Sequence, residues 1–471
     1  MRFRHVALFA LFTLALSVVL VAACQPRGGP PTDKPNIILI SIDTLRADHV
    51  GCYGYPVPTT PHLDQLAAEG VRFERALSNS PWTLPSHVTM LTGQEVGVHN
   101  VRYSKNALAD SALTISEVLK DNGYATIGFG SAPYLKKLYG FSQGFDVYDD
   151  ELAHVSYKES HEAVTAKKVV DKALDQIDKH RRDNWFVFMH VWDVHYDYVP
   201  PAPYDKKFVD PNYTGRFRMK KWEKNKKFRL GMDPADFAYV ISQYDGEIAW
   251  VDSQLGRLFQ ALKKRGLYDN TAIIITADHG EEFLDHGQKG HGHSLYDELI
   301  HVPLIIKAPK VQAGGAIACP VSLVDLFPTI AAWSKAPHVP YKGPGQNLLE
   351  LIAGTRTCDS SRPLFAETKM SNLDKLHAYK RGYEMMIEKG RVKYHNRVTE
   401  PLRELLFDVA ADPDEQNNLV ADRQENLLEM QSAMRDYSRD NAAQRRKKRM
   451  AKRTKLDRKT REQLKELGYI N

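Results

Sequence analysis

Residues 36–43, Asn-Ile-Ile-Leu-Ile-Ser-Ile-Asp, constrain this chain more than any other stretch, because Ile37 to Ile42 give water no polar face and the run ends in a carboxylate. Such a strand is buried on both sides, as in a parallel sheet covered by helices. Ligands of open α/β sheets bind at the carboxyl ends of strands, which is where Asp43 stands. The pattern recurs over residues 124–128, 185–190, 272–276 and 302–306, with helical stretches between; residues 60–70 supply a helix start, an apolar face and a Gly stop. The fold class expected is α/β, a mostly parallel central sheet with helices on both faces. Near Pro363 the texture changes to strands and turns. A main domain over 35–361, a smaller α+β subdomain over 362–435 and a basic tail over 436–471 are therefore expected.

The chemistry-bearing residues collect at these strand ends. Asp43 closes the first strand and Asp278-His279-Gly280 follows the strand at 272–276, so two carboxylates and an imidazole share one edge. Oxygen and nitrogen ligands of this kind favour Zn²⁺ or Mn²⁺; Ca²⁺ is compatible but usually takes more oxygens. Residues 81–93, Pro-Trp-Thr-Leu-Pro-Ser-His-Val-Thr-Met-Leu-Thr-Gly, add one hydroxyl, Thr83, before a helix that Pro85 stiffens and Ser86 is expected to cap. The amides and positive dipole end of that helix suit an anionic substrate. A Thr before Pro-Ser is by itself an ordinary helix entry, and an Asp after a strand an ordinary cap. Their joint occurrence points instead to Thr83 as a metal-bound alkoxide nucleophile. Histidines fill out the edge: His190 and His195 end one strand, and His286, His291 and His293 follow Asp278 in one loop. A lone histidine is usually a satisfied polar residue, but a group at strand ends suits proton transfer or anion binding. Asp193, His195 and His286 form a candidate second metal set of undiagnostic spacing.

Hydrophobic content of 43%, charged content of 26% and mean hydropathy of −0.43 exclude a multi-span membrane protein. Arg2 and Arg4 precede an apolar run from Val6 to Val21 that ends in Ala22-Ala23-Cys24, which reads as an export signal over 1–23. The small residues before Cys24 resemble a bacterial lipobox, so a lipid anchor on Cys24, a tether over 24–34 and a cell-envelope location on the periplasmic or extracellular face are expected. Nucleic acid is not an expected partner. Among Cys52, Cys319 and Cys358 every pairing is open; Cys319 with Cys358 would leave Cys52 buried and inert. Part of the net charge of +6 sits in a run from Arg445 to Arg461, read as a solvated or partly disordered tail that either attracts anionic lipid or merely solubilises. A second basic insert, with Lys206, Lys207, Arg216, Arg218, Lys220, Lys221, Trp222 and Lys226, suits an acidic substrate.

Over nearly all of residues 36–435 the chain resembles a sulfatase of the alkaline phosphatase superfamily. The resemblance rests on Ile-Ser-Ile-Asp-Thr-Leu-Arg-Ala-Asp-His-Val-Gly-Cys-Tyr-Gly at 40–54, on the nucleophile segment at 83–93, and on segments 190–201, 244–252, 276–282, 290–303 and 406–419 in order. It implies a metal held by Asp43, Thr83, Asp278 and His279, with His195 and His291 contacting the transferred group and His293 as substitute. His87 stands where the family has Arg, and Thr44 where it has a second Asp. Sulfatases proper oxidise Cys or Ser at the nucleophile position to formylglycine; Thr83 would give a ketone. Threonine nucleophiles occur in phosphodiesterases and phosphoethanolamine transferases of the superfamily. The resemblance thus implies an exported metal-dependent hydrolase or transferase of phosphate (di)esters, with catalytic Thr83, His87, His195 and His291 and an anionic ester substrate. The alternatives are sulfate ester hydrolysis without formylglycine, and a non-catalytic binder of acidic glycans or lipids.

Overall fold

The computed structural model describes residues 34–154, 165–215, 217, 228–336, 339–370, 382–398, 403–467 and 470. The export segment, Cys24, and the insert residues Arg216, Arg218, Lys220, Lys221, Trp222 and Lys226 lie outside the described residues.

The apolar run forms β1 (Asn36–Ile42), buried at every position. With β2 (Val71–Phe73), β3 (Ala125–Phe129), β4 (Val147–Asp149), β5 (Trp185–Val191), β6 (Thr271–Ala277), β7 (Leu304–Lys307) and β8 (Gly315–Ile317) it builds an eight-stranded sheet ordered β8-β2-β7-β6-β1-β5-β3-β4. All neighbours are parallel except at β7, which runs antiparallel to both β6 and β2. The sheet is therefore mixed but mostly parallel. Two helical layers cover it: α1 (Pro61–Glu69), α4 (Thr165–Lys179) and α5 (Pro234–Lys264) pack together, as do α2 (Thr83–Thr92), α3 (Ile115–Asp121) and α6 (Leu326–Trp333).

A separate antiparallel sheet follows, β9 (Leu364–Met370), β10 (Gly382–Lys389), β11 (Val392–Val398) and β12 (Arg403–Asp408). Its Ile387, Tyr394 and Leu406 bury Leu427, Met430 and Met434 of α7 (Gln424–Lys448), so sheet and helix share a small core of their own.

The C-terminal segment is not a solvated tail. α7 runs through residue 435 without a break; Ala451–Arg453 then pair antiparallel with Asn106–Leu108, and α8 (Arg458–Glu466) returns to the main domain. Met450 and Leu464 join the main core, and Lys136 Nζ is buried at 3.2 Å from Thr460 Oγ1 and 2.5 Å from Gln463 Oε1. Sparse apolar side chains among many charges suffice for this docking. Cys319 and Cys358 form a disulfide, 39 residues apart. Cys52 is free and half-buried rather than buried, and burial pushes its thiol up to about 12. No helix among the described residues is long and apolar enough to cross a membrane.

Candidate active site

Register brings the two aspartates together. β1 pairs in parallel with β6 up to Ile42 opposite Ala277, so the next residues, Asp43 and Asp278, leave adjacent strand ends side by side. Thr44 then turns the chain at φ 54°, a left-handed conformation that is strained for a β-branched residue. That turn aims the Thr44 N–H at Asp278 Oδ1 (3.3 Å) and lets its hydroxyl donate to the Val194 carbonyl (2.8 Å). The His279 N–H also donates to Asp278 Oδ1, at 3.0 Å.

α2 starts one turn earlier than expected. Thr83 is its first residue, after an extended Trp82 that supplies no side-chain cap, and Pro85 occupies a first-turn position that needs no N–H partner. Ser86 is therefore inside the helix and does not cap it. Its hydroxyl donates instead to the Asp278 carbonyl at 2.7 Å, as does that of Ser78, fastening the helix start to the end of β6. Thr83 Oγ1 comes to 3.3 Å from His279 Nε2 and is fully buried among first-turn amides.

Asp43, Asp278 and His279 bring ligand atoms within 4.8 Å of one another, all buried. Both Asp43 oxygens and Asp278 Oδ2 have no hydrogen-bond partner among the described residues. A buried carboxylate in that condition is costly unless a cation meets it, and burial pushes Asp43 up to about 7. His279 Nδ1 donates to the Gly280 carbonyl (2.8 Å), so Nε2 presents its lone pair 3.4 Å from Asp278 Oδ2 and 3.8 Å from Asp43 Oδ1. The donor set fits a divalent metal.

His195 and His291 reach the same place. The ring of His291 lies 4.4 Å from that of His279 and 5.0 Å from that of His195, centroid to centroid. His195 stacks on Trp192 and its Nδ1 donates to the Tyr196 carbonyl at 2.9 Å. His291 Nδ1 lies 2.9 Å from Glu281 Oε1, while Tyr198 donates its hydroxyl to Glu281 Oε2 at 2.8 Å.

His87, expected among the catalytic residues, has both ring nitrogens engaged by neighbouring groups. Its Nδ1 donates to the Thr83 carbonyl (2.8 Å), its Nε2 accepts from the Ser41 hydroxyl (3.0 Å), and burial pushes it down to about 3. With both nitrogens engaged and the ring neutral, His87 ties the Thr83 backbone to β1.

The candidate second metal set is not assembled. Asp193 accepts from the Ala166 N–H (2.7 Å), the Trp250 indole (2.9 Å) and Thr165, capping α4. His286 stacks on Tyr296 and pairs with Glu298 at 2.8 Å, and His293 pairs with Glu282 at 2.7 Å, which holds His293 above the ordinary histidine range despite burial. Glu281, directly after Asp-His-Gly, belongs to the site as well, and so do Tyr198, Ser41 and Ser78, which carry no local signal in the sequence.

Comparison with known proteins identifies the family of the fold. The family model described as Sulfatase matches residues 35–336. The ulvan-active sulfatase of Formosa agariphila is 25% identical over 456 residues, covering 88% of this chain and 83% of its own. Among solved structures, one in complex with its substrate D-glucosamine-2-N,6-O-disulfate superposes with a TM-score of 0.71 at 19% identity, covering 87% of this chain and 98% of its own. The phosphonate monoester hydrolase of Silicibacter pomeroyi superposes with a TM-score of 0.69 at 24% identity, covering 87% and 96%.

Proposed function

This chain belongs to the sulfatase family of ester hydrolases, and from that premise we propose that it cleaves phosphate esters, diesters among them, by phosphoryl transfer through Thr83. The observation that carries the reading is Thr83 itself, buried at a helix N-terminus 3.3 Å from His279 Nε2 and unable to form the formylglycine aldehyde. A relative of the same fold is a phosphonate monoester hydrolase, which supports phosphorus as the reacting centre.

Asp43, Asp278 and His279, with the Thr83 hydroxyl, would hold the divalent metal, Zn²⁺ or Mn²⁺ before Ca²⁺ given two carboxylates and an imidazole. When bound, such an ion supplies charge that favours the Thr83 alkoxide and the anionic oxygens of the ester. Thr83 Oγ attacks phosphorus in line, and its bond to phosphorus forms as the bond to the leaving oxygen breaks. First-turn amides of α2 lie where the transferred group gathers negative charge. Burial holds Glu281 up to about 8 and His291 down to about 3, so the Glu281 carboxyl donates to Nδ1 of a neutral His291 and Nε2 carries the proton handed to the leaving oxygen as the Glu281 proton passes to Nδ1, with His195 beside it to bind the group. Water then attacks phosphorus, returns a proton to His291, and releases Thr83.

Sulfate ester hydrolysis without formylglycine is the second reading, favoured by the sulfated sugar bound to a neighbour of the same fold. The substrate is anionic on either reading. The sequence of the first 24 residues supports export and a lipid anchor on Cys24, hence a place on the bacterial cell envelope.

The test compares hydrolysis of p-nitrophenyl phosphate, bis-p-nitrophenyl phosphate and p-nitrophenyl sulfate, with Zn²⁺, Mn²⁺ or Ca²⁺ supplied singly. A phosphoester preference lost in Thr83→Ala supports the proposal. Thr83-dependent sulfate hydrolysis as the main activity overturns it in favour of the second reading.

A further inference from the structure

We propose that His190 is a further ligand of the active-site cation, its Nε2 joining Asp43, Asp278, His279 and the Thr83 hydroxyl, so that two carboxylates, two imidazoles and one hydroxyl surround the ion. The inference rests on the reading of Asp43, Asp278 and His279 as the metal set. His190 comes from β5, the neighbour of β1 on the side opposite β6, and Ser41 pairs with His190 across one ladder and with Thr276 across the other. The three central strands thus deliver His190, Asp43 and Asp278 in a row at one sheet edge.

The tautomer of His190 follows from its hydrogen bonds. The Ser131 hydroxyl has one proton and donates it to the His190 carbonyl at 2.7 Å, so at 2.9 Å from Nδ1 its oxygen accepts. Nδ1 is therefore the N–H, and Nε2 carries the lone pair, as in a metal-bound histidine whose other nitrogen is held by an outer partner. That lone pair is fully buried and has no hydrogen-bond partner among the described residues. It lies 3.2 Å from Asp43 Oδ2, which has none either. Two buried acceptors at that distance repel unless a proton or a metal cation lies between them.

The spacing of His190 Nε2 and Asp43 Oδ2, 3.2 Å, is that of two atoms about 2.0–2.1 Å from one ion, as is His279 Nε2–Asp278 Oδ2 at 3.4 Å, and Asp43 turns its other oxygen, Oδ1, to His279 at 3.8 Å, so that this carboxylate stands between the two histidines. His87 also has ligand atoms within 4.8 Å of His190 and Asp278, but its two nitrogens are bonded to Thr83 and Ser41 and it is not a ligand. Thr44, next to Asp43, turns its hydroxyl away to Val194 and offers the ion nothing. His190 adds a nitrogen instead, which tilts the site from Ca²⁺ toward Zn²⁺ or Mn²⁺.

The competing role is a protonated His190 paired with Asp43 without touching metal. The test uses the holoenzyme and a His190→Asn variant, whose amide N–H still reaches Ser131 while no atom replaces Nε2. Metal content by mass spectrometry, metal affinity by chelator competition and the visible spectrum of the Co²⁺ form are the readouts. The proposal expects at least a ~100-fold weaker affinity and changed Co²⁺ bands, since even outer-shell losses cost about 10–100-fold. Unchanged affinity and spectrum overturn it. Asp278→Asn, run in parallel, separates the two claims: if it too keeps its metal, the metal set itself is wrong, whereas if it alone loses metal, only the role of His190 fails. Should His190→Asn not fold, Ser131→Ala carries the test. A roughly 10-fold weaker affinity supports the proposal there, and no change overturns it.

Discussion

Glu281 Oε1 lies 2.9 Å from His291 Nδ1, and the same carboxyl group receives the Tyr198 hydroxyl on its other oxygen. All three side chains are buried, so the orientation of His291 is set by Glu281 rather than by water. This is how a proton donor is held ready for a leaving group.

Glu281→Gln removes the carboxyl that exchanges a proton with His291 Nδ1. It should slow an alkyl phosphodiester about 100-fold, because that leaving oxygen needs a proton. A p-nitrophenyl ester, whose leaving group needs little help, should lose far less. Steady-state kcat on the two substrates checks this; equal losses would mean that Glu281 only supports the fold.

Chelation should destabilise the protein, and more so at pH 8 than at pH 5.5. Without metal, burial holds Asp43 up to about 7, above its unfolded value. The metal-free fold thus loses stability as pH rises from about 4 through 7, at up to about 1.4 kcal/mol per pH step. Bound metal removes that loss and adds about 4 kcal/mol at 1,000 times its Kd. Thermal unfolding with EDTA or Mn²⁺ at the two pH values measures both effects.

A second pH effect lies outside the site. Glu95 is buried opposite Glu367 of β9, accepts from the Asn79 amide at 2.9 Å, and is pushed up to about 8 by burial and by that second carboxylate. Its protonated form is the one the fold favours, so its contribution is complete below about pH 4 and is lost as pH rises through 8. Urea unfolding of Glu95→Gln should show a flatter fall in stability between pH 5 and 8 than the parent chain. A parallel slope would place the titration elsewhere.

Leu464, fully buried where α8 returns to the main domain, makes the C-terminal segment part of the fold. Leu464→Ala should cost about 2–5 kcal/mol by urea unfolding with kcat unchanged. A solvated tail would give no change in stability.

Much of the site was legible because its residues are bound to strand ends. An apolar run closed by Asp43, and Asp278-His279 directly after another, declare their positions through the rule that parallel strands end at the ligand edge. What was not legible depends on contacts between distant segments. His87 looked available until Ser41, on a neighbouring element, took one nitrogen and the Thr83 carbonyl the other. Ser86 looked like a cap because a Ser after Pro often is one, yet the helix begins at Thr83 and Asp278 claims the hydroxyl. The reversed direction of β7 is invisible in a short apolar run, which reads the same either way. The C-terminal segment was read by its charge, and charge hides the few apolar residues that dock it.

The most direct test of phosphoryl transfer through Thr83 is rapid-quench peptide mass spectrometry of the metal-loaded enzyme during turnover of bis-p-nitrophenyl phosphate. The account predicts a phosphoester-bearing Thr83 peptide that appears before steady state and disappears as substrate is exhausted. Turnover of the diester with Thr83 unmodified at every time, and undiminished in Thr83→Ala, would contradict it.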